Sequence, residues 1–176
     1  VAGFLGSHLA EKLANMNYSV VGIDNMIGGY PDNVPKNIEF HQIDCCDLKK
    51  VKKIMKGVNV VYHCAATAHE GLSVFSPYEI TKNNYLASIS IFTAAVNEKV
   101  KRIIFCSSMA RYGDQETPFT ESMKPKPVDP YAISKVAAEE VLANLCELNG
   151  IEWVIAVPHN IIGPRQKYDD PFRNVI

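Results

Sequence analysis

Two hydrophobic periods alternate along this chain, and together they predict the order of its elements. Short apolar runs predict strands over residues 18–24, 38–43, 58–64, 101–105 and 152–157. Between these runs, apolar residues recur every three or four positions, which is the period of a helix with one buried face. Strands that alternate with helices predict a parallel sheet with helices on both faces, which is an α/β fold of the doubly wound class.

Composition is consistent with one globular domain. The 176 residues are 47% hydrophobic and carry a net charge of −1, which argues against disorder and against a basic surface for nucleic acid. No apolar run is long enough to span a membrane. The 5 Cys form no CxxC motif, and no His and Cys have the spacing of a zinc site. We expect a reduced, cytoplasmic chain whose Cys are mostly small core residues.

The segment from Asp129 to Lys135 carries the first candidate chemistry. Asp129 is a preferred N-cap residue, and Pro130 suits the first position of a helix. A helix that begins there puts Tyr131 and Lys135 one turn apart on the same face. Because a neighbouring ammonium and the helix dipole both favour the phenolate, we expect the pKa of Tyr131 to be lowered toward that of a useful acid–base group.

A second Tyr–Lys pair with the same spacing, Tyr78 and Lys82, shows that this pattern is weak evidence alone. Its helix is predicted to begin with a capping box formed by Ser76 and Glu79. A partly buried Tyr beside a solvated Lys would explain either pair. Tyr131 differs in its context, because a strand that ends in Ser precedes its helix and a glycine loop opens the chain.

The glycine loop and the acid that follows it predict a dinucleotide. Gly3 and Gly6 have the spacing of the last two glycines in a phosphate-binding loop at a helix start. The next predicted strand ends at Asp24, where a carboxylate would bind an adenosine ribose. Since Asp24 would repel a 2′-phosphate and the next cation is Lys36, the pattern favours NAD over NADP. A solvated strand-end Asp remains the alternative for this residue.

The strand over residues 101–105 supplies the third signal, because it runs into Ser108. Ligands of open parallel sheets bind at the carboxyl ends of the strands. Ser108 is therefore placed to form a hydrogen bond with a reacting oxygen. A local turn bond is the alternative for a Ser at this position.

In combination these segments resemble the NAD-dependent epimerase/dehydratase family, which are extended short-chain dehydrogenase/reductases that act on nucleotide sugars. The resemblance covers essentially all of residues 1–176 as one NAD-binding, Rossmann-like domain. The matching segments are residues 2–8, 24–25, 44–45, 63–66, 83–84, 107–113, 131–135 and 160–166. The resemblance also implies that the first strand and the C-terminal substrate domain are missing. Since that strand is central in the family's sheet, we expect a split or poorly paired sheet.

The resemblance implies a role for each matching residue. The catalytic residues would be Ser108, Tyr131 and Lys135. The substrate, a nucleotide sugar and most simply a UDP-sugar, would contact Ser108, Met109, Tyr131 and Asn160. The residues that would bind NAD are Gly3, Phe4, Leu5, Gly6, Asp24, Asn25, Asp44, Cys45, Cys64, Ala65, Ala66, Asn83, Asn84, Tyr131, Lys135 and His159.

The implied activity is 4-epimerisation of a UDP-hexose or UDP-N-acetylhexosamine through transient hydride transfer. In the family, 4,6-dehydratases usually carry an Asp-Glu pair directly after the catalytic Ser or Thr, and Met109 and Ala110 stand there instead. Other dehydratase, decarboxylase or reductase chemistry on the same scaffold stays open, as does a non-catalytic NAD sensor. We expect this fragment to be inactive alone and the full-length protein to form a homodimer through the helices over residues 78–98 and 131–148.

Overall fold

The computed structural model describes residues 1–170, and all five predicted strands are present in it. The strands are β1 (Val21–Asp24), β2 (Glu39–Gln42), β3 (Val60–His63), β4 (Arg102–Cys106) and β5 (Glu152–Ala156). The α-helices are α1 (Phe4–Asn15), α2 (Leu48–Met55), α3 (Glu70–Ser73), α4 (Pro77–Ile80), α5 (Ala87–Asn97) and α6 (Pro130–Asn149). No helix within these residues has the length and apolar character needed to cross a membrane.

The strands form two parallel sheets. In the first, β1 pairs with β2 and Val21 lies opposite Glu39. In the second, the order is β3–β4–β5, with Val60 opposite Arg102 and Arg102 opposite Glu152. The parallel α/β architecture and the predicted division of the sheet are therefore both confirmed for residues 1–170.

The core lies on one face of the three-stranded sheet. It joins inward side chains of β3 and β4 to α2, α5 and α6, and its large members include Val51, Met55, Val61, Ile91, Phe92, Ile103, Phe105 and Leu142. Because successive strand residues point to opposite faces, Val60, Tyr62 and Val154 project away from this core and are 41%, 42% and 48% exposed. The one-sided core fixes the register, since a slip of one residue would expose the buried set.

Helix α6 begins and ends at the predicted positions. Asp129 has an extended backbone, and its side chain accepts a hydrogen bond from the main-chain nitrogen of Ala132 at 2.9 Å. Pro130 occupies the first helical position. At the other end, Gly150 adopts a left-handed conformation with φ 65°, which costs glycine little. Both ends of the helix that carries Tyr131 are thus set by local sequence.

The predicted capping box at Ser76 is wrong. Ser76 does precede α4, but its side chain makes no capping hydrogen bond. Its backbone, at φ −137° and ψ 52°, lies outside the extended region in which an N-cap side chain reaches back to the first turn. Asp129, at φ −139° and ψ 163°, does lie in that region.

The long helix predicted after Ser76 is not a continuous α-helix. A π-helix over Thr81–Leu86 separates α4 from α5. In this wide turn the carbonyl oxygen of Lys82 accepts a hydrogen bond from the Cys46 thiol at 3.3 Å. The interruption therefore coincides with side-chain contacts to neighbouring segments, which the apolar period does not reveal.

Candidate active site

The three predicted catalytic residues come together just beyond the carboxyl end of β4. Ser108 lies close enough to the Tyr131 side chain to lower the pKa of its phenol, and Ser108 Oγ accepts a hydrogen bond from the main-chain nitrogen of Ala110 at 3.2 Å. Lys135 donates from Nζ to the carbonyl oxygen of Cys106 at 2.8 Å. Residues Ser108, Tyr131 and Lys135 are only 8%, 6% and 3% exposed. The site thus holds a phenol, a hydroxyl and an amine in a nearly dry environment.

The ionisation of Tyr131 differs from the expectation drawn from its spacing. Burial raises the pKa of Tyr131 above its usual value, and the hydrogen bond with Ser108 only partly opposes this effect. Burial also lowers the pKa of Lys135, whose ammonium lies 4.9 Å from the centre of the Phe105 ring. The expected lowering is therefore wrong for this structure, because removal from water outweighs the groups that favour the phenolate.

The second Tyr–Lys pair lies in a different environment. Tyr78 is 76% exposed, and it belongs to α4. Lys82 follows in the π-helix and is half-buried. Two pairs of identical spacing thus differ in whether the phenol is removed from water, which makes Tyr78 a natural control for Tyr131.

A buried carboxylate lies behind the candidate catalytic residues and was not predicted. Glu139 is 4% exposed, accepts a hydrogen bond from Ser107 Oγ, and pairs with Arg111 Nη2 at 3.1 Å. Burial raises the pKa of Glu139, although Ser107 and Arg111 act against this. The spacing of Lys135 and Glu139, one helical turn apart, could have indicated it. This network anchors the chain immediately before Ser108.

A cleft of about 340 Å³ is lined by residues that flank Ser108 and Tyr131 in the chain, although none of the three candidate catalytic side chains lines it. Its lining residues are Glu70, Met109, Ala110, Gly113, Asp114, Val128, Asp129, His159 and Asn160. The predicted Met109, His159 and Asn160 are among them, whereas Glu70 was missed because it opens a four-residue helix without any periodic signal. Burial, helped by the charge of Asp129, raises the pKa of Glu70. The cleft is large enough for part of a polar ligand.

The carboxyl ends of β1 and β2 carry three of the predicted NAD-binding residues, Asp24, Asn25 and Asp44. Asn25 Nδ2 donates to Asp44 Oδ2 at 3.4 Å, and Asp24 Oδ2 accepts from the main-chain nitrogen of Ala2 at 2.9 Å. The main-chain N–H of Cys46 lowers the pKa of Asp44. Both carboxylates are thus held as anions at one edge of the two-stranded sheet.

The start of α1 has the features of an anion site. Gly3 is its N-cap, and Phe4, Leu5 and Gly6 follow in the first turn. No side chain within residues 1–170 caps this end, and its first turn contains no acidic residue. The first N–H groups of the helix and its dipole therefore suit a phosphate.

A second turn supports this loop. The carbonyl oxygen of Ala2 accepts from the main-chain nitrogen of Tyr30 at 3.1 Å and from Asn33 Nδ2 at 3.0 Å. A Cβ atom added at Gly29 would lie 2.0 Å from the same carbonyl oxygen, so only glycine fits there. The turn that begins at residues 28–29 thus supports the start of α1, which is the candidate phosphate-binding site.

The two predicted asparagines fix the loop that follows β3. Asn84 Oδ1 accepts from the main-chain nitrogen of Thr67 at 2.7 Å, and its Nδ2 donates to the Thr67 carbonyl oxygen at 3.1 Å. Asn83 Nδ2 donates to Thr67 Oγ1 at 3.2 Å. These bonds hold the loop that begins with residues 64–66. The contact of Asn83 and Asn84 with NAD stays a prediction.

Two further residues lie in the core. Cys45, which the resemblance implies in NAD binding, belongs to the core cluster, and burial raises the pKa of its thiol to about 12. Its contact with NAD stays a prediction. His63 is 3% exposed, its Nε2 lies 2.8 Å from Ser88 Oγ, and its ring stacks on Phe105. Burial lowers the pKa of His63 to about 3, which keeps the ring neutral.

Comparison with known proteins identifies the class. The NAD dependent epimerase/dehydratase family matches residues 1–176, and the chain belongs to this family. The UDP-N-acetylglucosamine 4-epimerase from Methanobrevibacter ruminantium, in complex with UDP-N-acetylmuramic acid, has a TM-score of 0.93 and 34% identity, over 99% of this chain and 57% of that one. The Thermus thermophilus UDP-glucose 4-epimerase complex with NAD has a TM-score of 0.90 and 33% identity, over 94% and 55%.

Relatives with another reaction are also similar. A UDP-N-acetyl-alpha-D-glucosaminuronate decarboxylase of Bacillus cytotoxicus is 33% identical over an alignment of 184 positions. The alignment covers 99% of this chain and 56% of the relative. The chain spans about half the length of the curated relatives it matches. The comparisons therefore show the family to which the chain belongs but not which reaction it catalyses.

The residues of this chain fit NAD, the cofactor of the family. The uncapped glycine start of α1 suits a diphosphate, and the carboxylates of Asp24 and Asp44 suit hydroxyl and amino groups. The small residues 65–66 follow β3 and permit close approach of a ligand. The predicted cofactor is thus confirmed at the level of the family, and these side chains agree with it.

Proposed function

We propose that this chain forms the cofactor-binding and catalytic part of an NAD-dependent nucleotide-sugar 4-epimerase that acts on a UDP-hexose or UDP-N-acetylhexosamine. The observation that carries the proposal is the buried group of Ser108, Tyr131 and Lys135 beside a polar cleft. Similarity to two 4-epimerases over more than nine-tenths of the chain supports it.

Two sets of residues would hold the cofactor. The start of α1, from Gly3 to Gly6, would bind the diphosphate, and Asp24 with Asn25 would bind the adenosine ribose. Tyr131 and Lys135 would lie at the other end, near the nicotinamide ribose. When bound, NAD supplies a group that accepts a hydride from the sugar and can return it to the opposite face.

The chain's own residues would move the proton. Tyr131 Oη would accept the proton of the sugar hydroxyl and later return it, while Ser108 Oγ would hold the same sugar oxygen by a hydrogen bond. Because burial raises the pKa of Tyr131, the proton-accepting form is scarce at neutral pH. The hydrogen bond from Ser108 and the positive charge of Lys135 would set how much of it forms.

The residues after Ser108 favour epimerisation over 4,6-dehydration. A dehydratase that eliminates water needs a further acid and base at the sugar. Met109 and Ala110 line the cleft and cannot transfer a proton. The acids that line the cleft are Glu70, Asp114 and Asp129. None of them directly follows Ser108, and Asp129 already caps α6.

The test uses the full-length protein with UDP-glucose and UDP-N-acetylglucosamine as separate substrates. The expected product has unchanged mass and an inverted C4 centre by NMR, with no net formation of NADH. Tyr131→Phe should abolish conversion, whereas Tyr78→Phe should retain it. A product lighter by one water, or bound NAD without conversion of either sugar, would contradict the proposal.

A further inference from the structure

Two cysteines face each other at the carboxyl ends of neighbouring strands. The register of β3 and β4 pairs His63 with Phe105, so Cys64 and Cys106 are opposite one another one residue further on. Neighbouring strands lie about 4.8 Å apart, and opposite side chains of a parallel pair project to the same face. This separation falls within the range of roughly 4.4–6.8 Å between Cα atoms that a disulfide requires.

Both thiols are free and half-buried. Each thiol shifts the pKa of the other, which agrees with the proximity that the strand register gives them. The ammonium of Lys135 lies next to them, because its Nζ donates to the carbonyl oxygen of Cys106 at 2.8 Å. The pair therefore has the proximity, the access and the positive neighbour that reactive thiols need.

The pair is also chemically asymmetric. The Cys64 thiol and the charge of Lys135 lower the pKa of Cys106, although burial opposes them. The Lys135 ammonium binds the carbonyl oxygen of Cys106 itself, so its positive charge lies beside this residue of the pair. Cys106 is therefore assigned as the attacking partner of thiol–disulfide exchange and Cys64 as the resolving partner.

We propose that Cys64 and Cys106 form a reversible thiol-modification site, which a small-molecule disulfide such as oxidised glutathione converts into an intramolecular disulfide. The Cys106 thiolate attacks one glutathione sulfur, breaks the glutathione S–S bond and releases one glutathione thiolate. Cys64 then loses its proton to that thiolate and attacks Cys106 Sγ in the mixed disulfide, which releases the second glutathione. Two protein thiols are oxidised, and one glutathione disulfide is reduced to two thiols.

The other cysteines provide internal controls. Burial raises the pKa of Cys45 to about 12, that of Cys46 to about 11, and that of Cys146 above its usual value. We expect these three to react more slowly. With thiolate content weighed against nucleophilicity, Cys106 should be alkylated roughly five- to tenfold faster than Cys146 near neutral pH.

The first experiment maps the bond in the full-length protein. The protein is treated with oxidised glutathione, its remaining thiols are blocked with N-ethylmaleimide, and it is digested with trypsin without reductant. Tryptic peptides 57–82 and 103–111 each hold one cysteine of the pair. The expected product is these two peptides joined, with the loss of two hydrogens and reversal by dithiothreitol. An unlinked, reduced Cys106, or a bond that forms preferentially at Cys45 or Cys46, would overturn the proposal.

Variants separate the two steps. Cys64→Ser should stop at a mixed disulfide between Cys106 and glutathione, whereas Cys106→Ser should leave Cys64 reduced. Cys146→Ser should form the same bond as the wild type. The reduced variants are compared by circular dichroism, and Cys64→Ala and Cys106→Ala replace any that are misfolded. Equal modification of Cys64 with and without Cys106 would contradict the assigned order of attack.

Discussion

The two sheets hold their acidic side chains under opposite conditions. Next to the three-stranded sheet, Glu139 and Tyr131 are buried, and burial raises the pKa of each. At the end of the two-stranded sheet, Asp44 accepts a hydrogen bond from a main-chain N–H, which lowers its pKa. Burial thus shifts the acids of one region toward their neutral forms, whereas hydrogen bonding keeps Asp44 an anion, which suits recognition of hydroxyl groups. The difference follows from the position of the core, because its buried strand residues, Val61, Ile103 and Phe105, all belong to the three-stranded sheet.

The largest expected effect compares the loss of a buried hydroxyl with the loss of an exposed one. In Tyr131→Phe, we expect the proposed epimerase activity of the full-length protein to fall by about 10²–10⁴-fold, because the acid–base group is removed. Tyr78→Phe removes the same atom from an exposed tyrosine and should have little effect. Activity is measured as kcat by NMR of the product. Equal losses in the two variants would contradict the role of burial.

Packing should show the next largest difference. Leu142 is fully buried in the core, so Leu142→Ala should lower the free energy of unfolding by about 2–5 kcal/mol. Leu13 in α1 is half-buried, and Leu13→Ala should cost about 1 kcal/mol. Urea denaturation of both variants measures the two values. If Leu13→Ala proved as costly as Leu142→Ala, the core would extend beyond the region described above.

The contribution of Glu139 to stability should fall as the pH rises, which is opposite in sign to the contribution of Asp44. Its pKa is raised on folding, so the protonated form favours the folded state. The stability this gives is present below the unfolded value of 4.5 and is lost as the pH rises through the folded value. Glu139→Gln should therefore gain stability relative to wild type as the pH rises over that window. Urea titrations from acid to neutral pH measure this trend.

Asp44 should show the reverse trend. Its pKa is lowered on folding, so its contribution is present above the unfolded value of 3.8 and is lost as the pH falls through the folded value. Asp44→Asn should therefore be less stable than wild type at neutral pH and converge with it in acid. The same urea titrations serve both variants. Parallel curves for Asp44→Asn and wild type would show that the carboxylate is not stabilised by folding.

Helix caps should give the smallest effect. Asp129→Ala removes the hydrogen bond to the main-chain nitrogen of Ala132, and we expect a loss of about 1 kcal/mol in the free energy of unfolding. Ser76→Ala is the matched control, because the Ser76 side chain makes no capping bond. A comparable loss at Ser76 would mean that its side chain does cap α4 in solution.

Local patterns predicted much of this molecule. The start of α6 followed from Asp129 and Pro130, and its end followed from Gly150, because each of these residues acts on its own backbone. Gly3, Gly6 and Asp24 were predicted to bind one dinucleotide, and the hydrogen bond from the main-chain nitrogen of Ala2 to Asp24 brings these two segments together. These signals are local or set by fold class, so a single sequence carries them.

Other features depend on contacts between distant segments. The pKa of Tyr131 was expected to fall because its neighbour Lys135 is near in sequence, but burial, which the spacing does not encode, dominates. Glu70 reaches the cleft from a short helix without periodicity. The pairing of Cys64 with Cys106 requires the register of β3 on β4, which the sequence alone leaves undetermined.

The π-helix over Thr81–Leu86 should make this segment sensitive to insertions and deletions. A π-helical turn closes hydrogen bonds between residues five apart, so it holds one residue more than a turn of α-helix. Deletion of one codon here would therefore convert the wide turn into a regular α-helical turn. Asn84 lies within the wide turn, so its two amide hydrogen bonds to the loop after β3 depend on it. Substitution of the exposed Leu86 leaves the helical phase intact. Natural variants of this segment should therefore differ in residue type but keep its length.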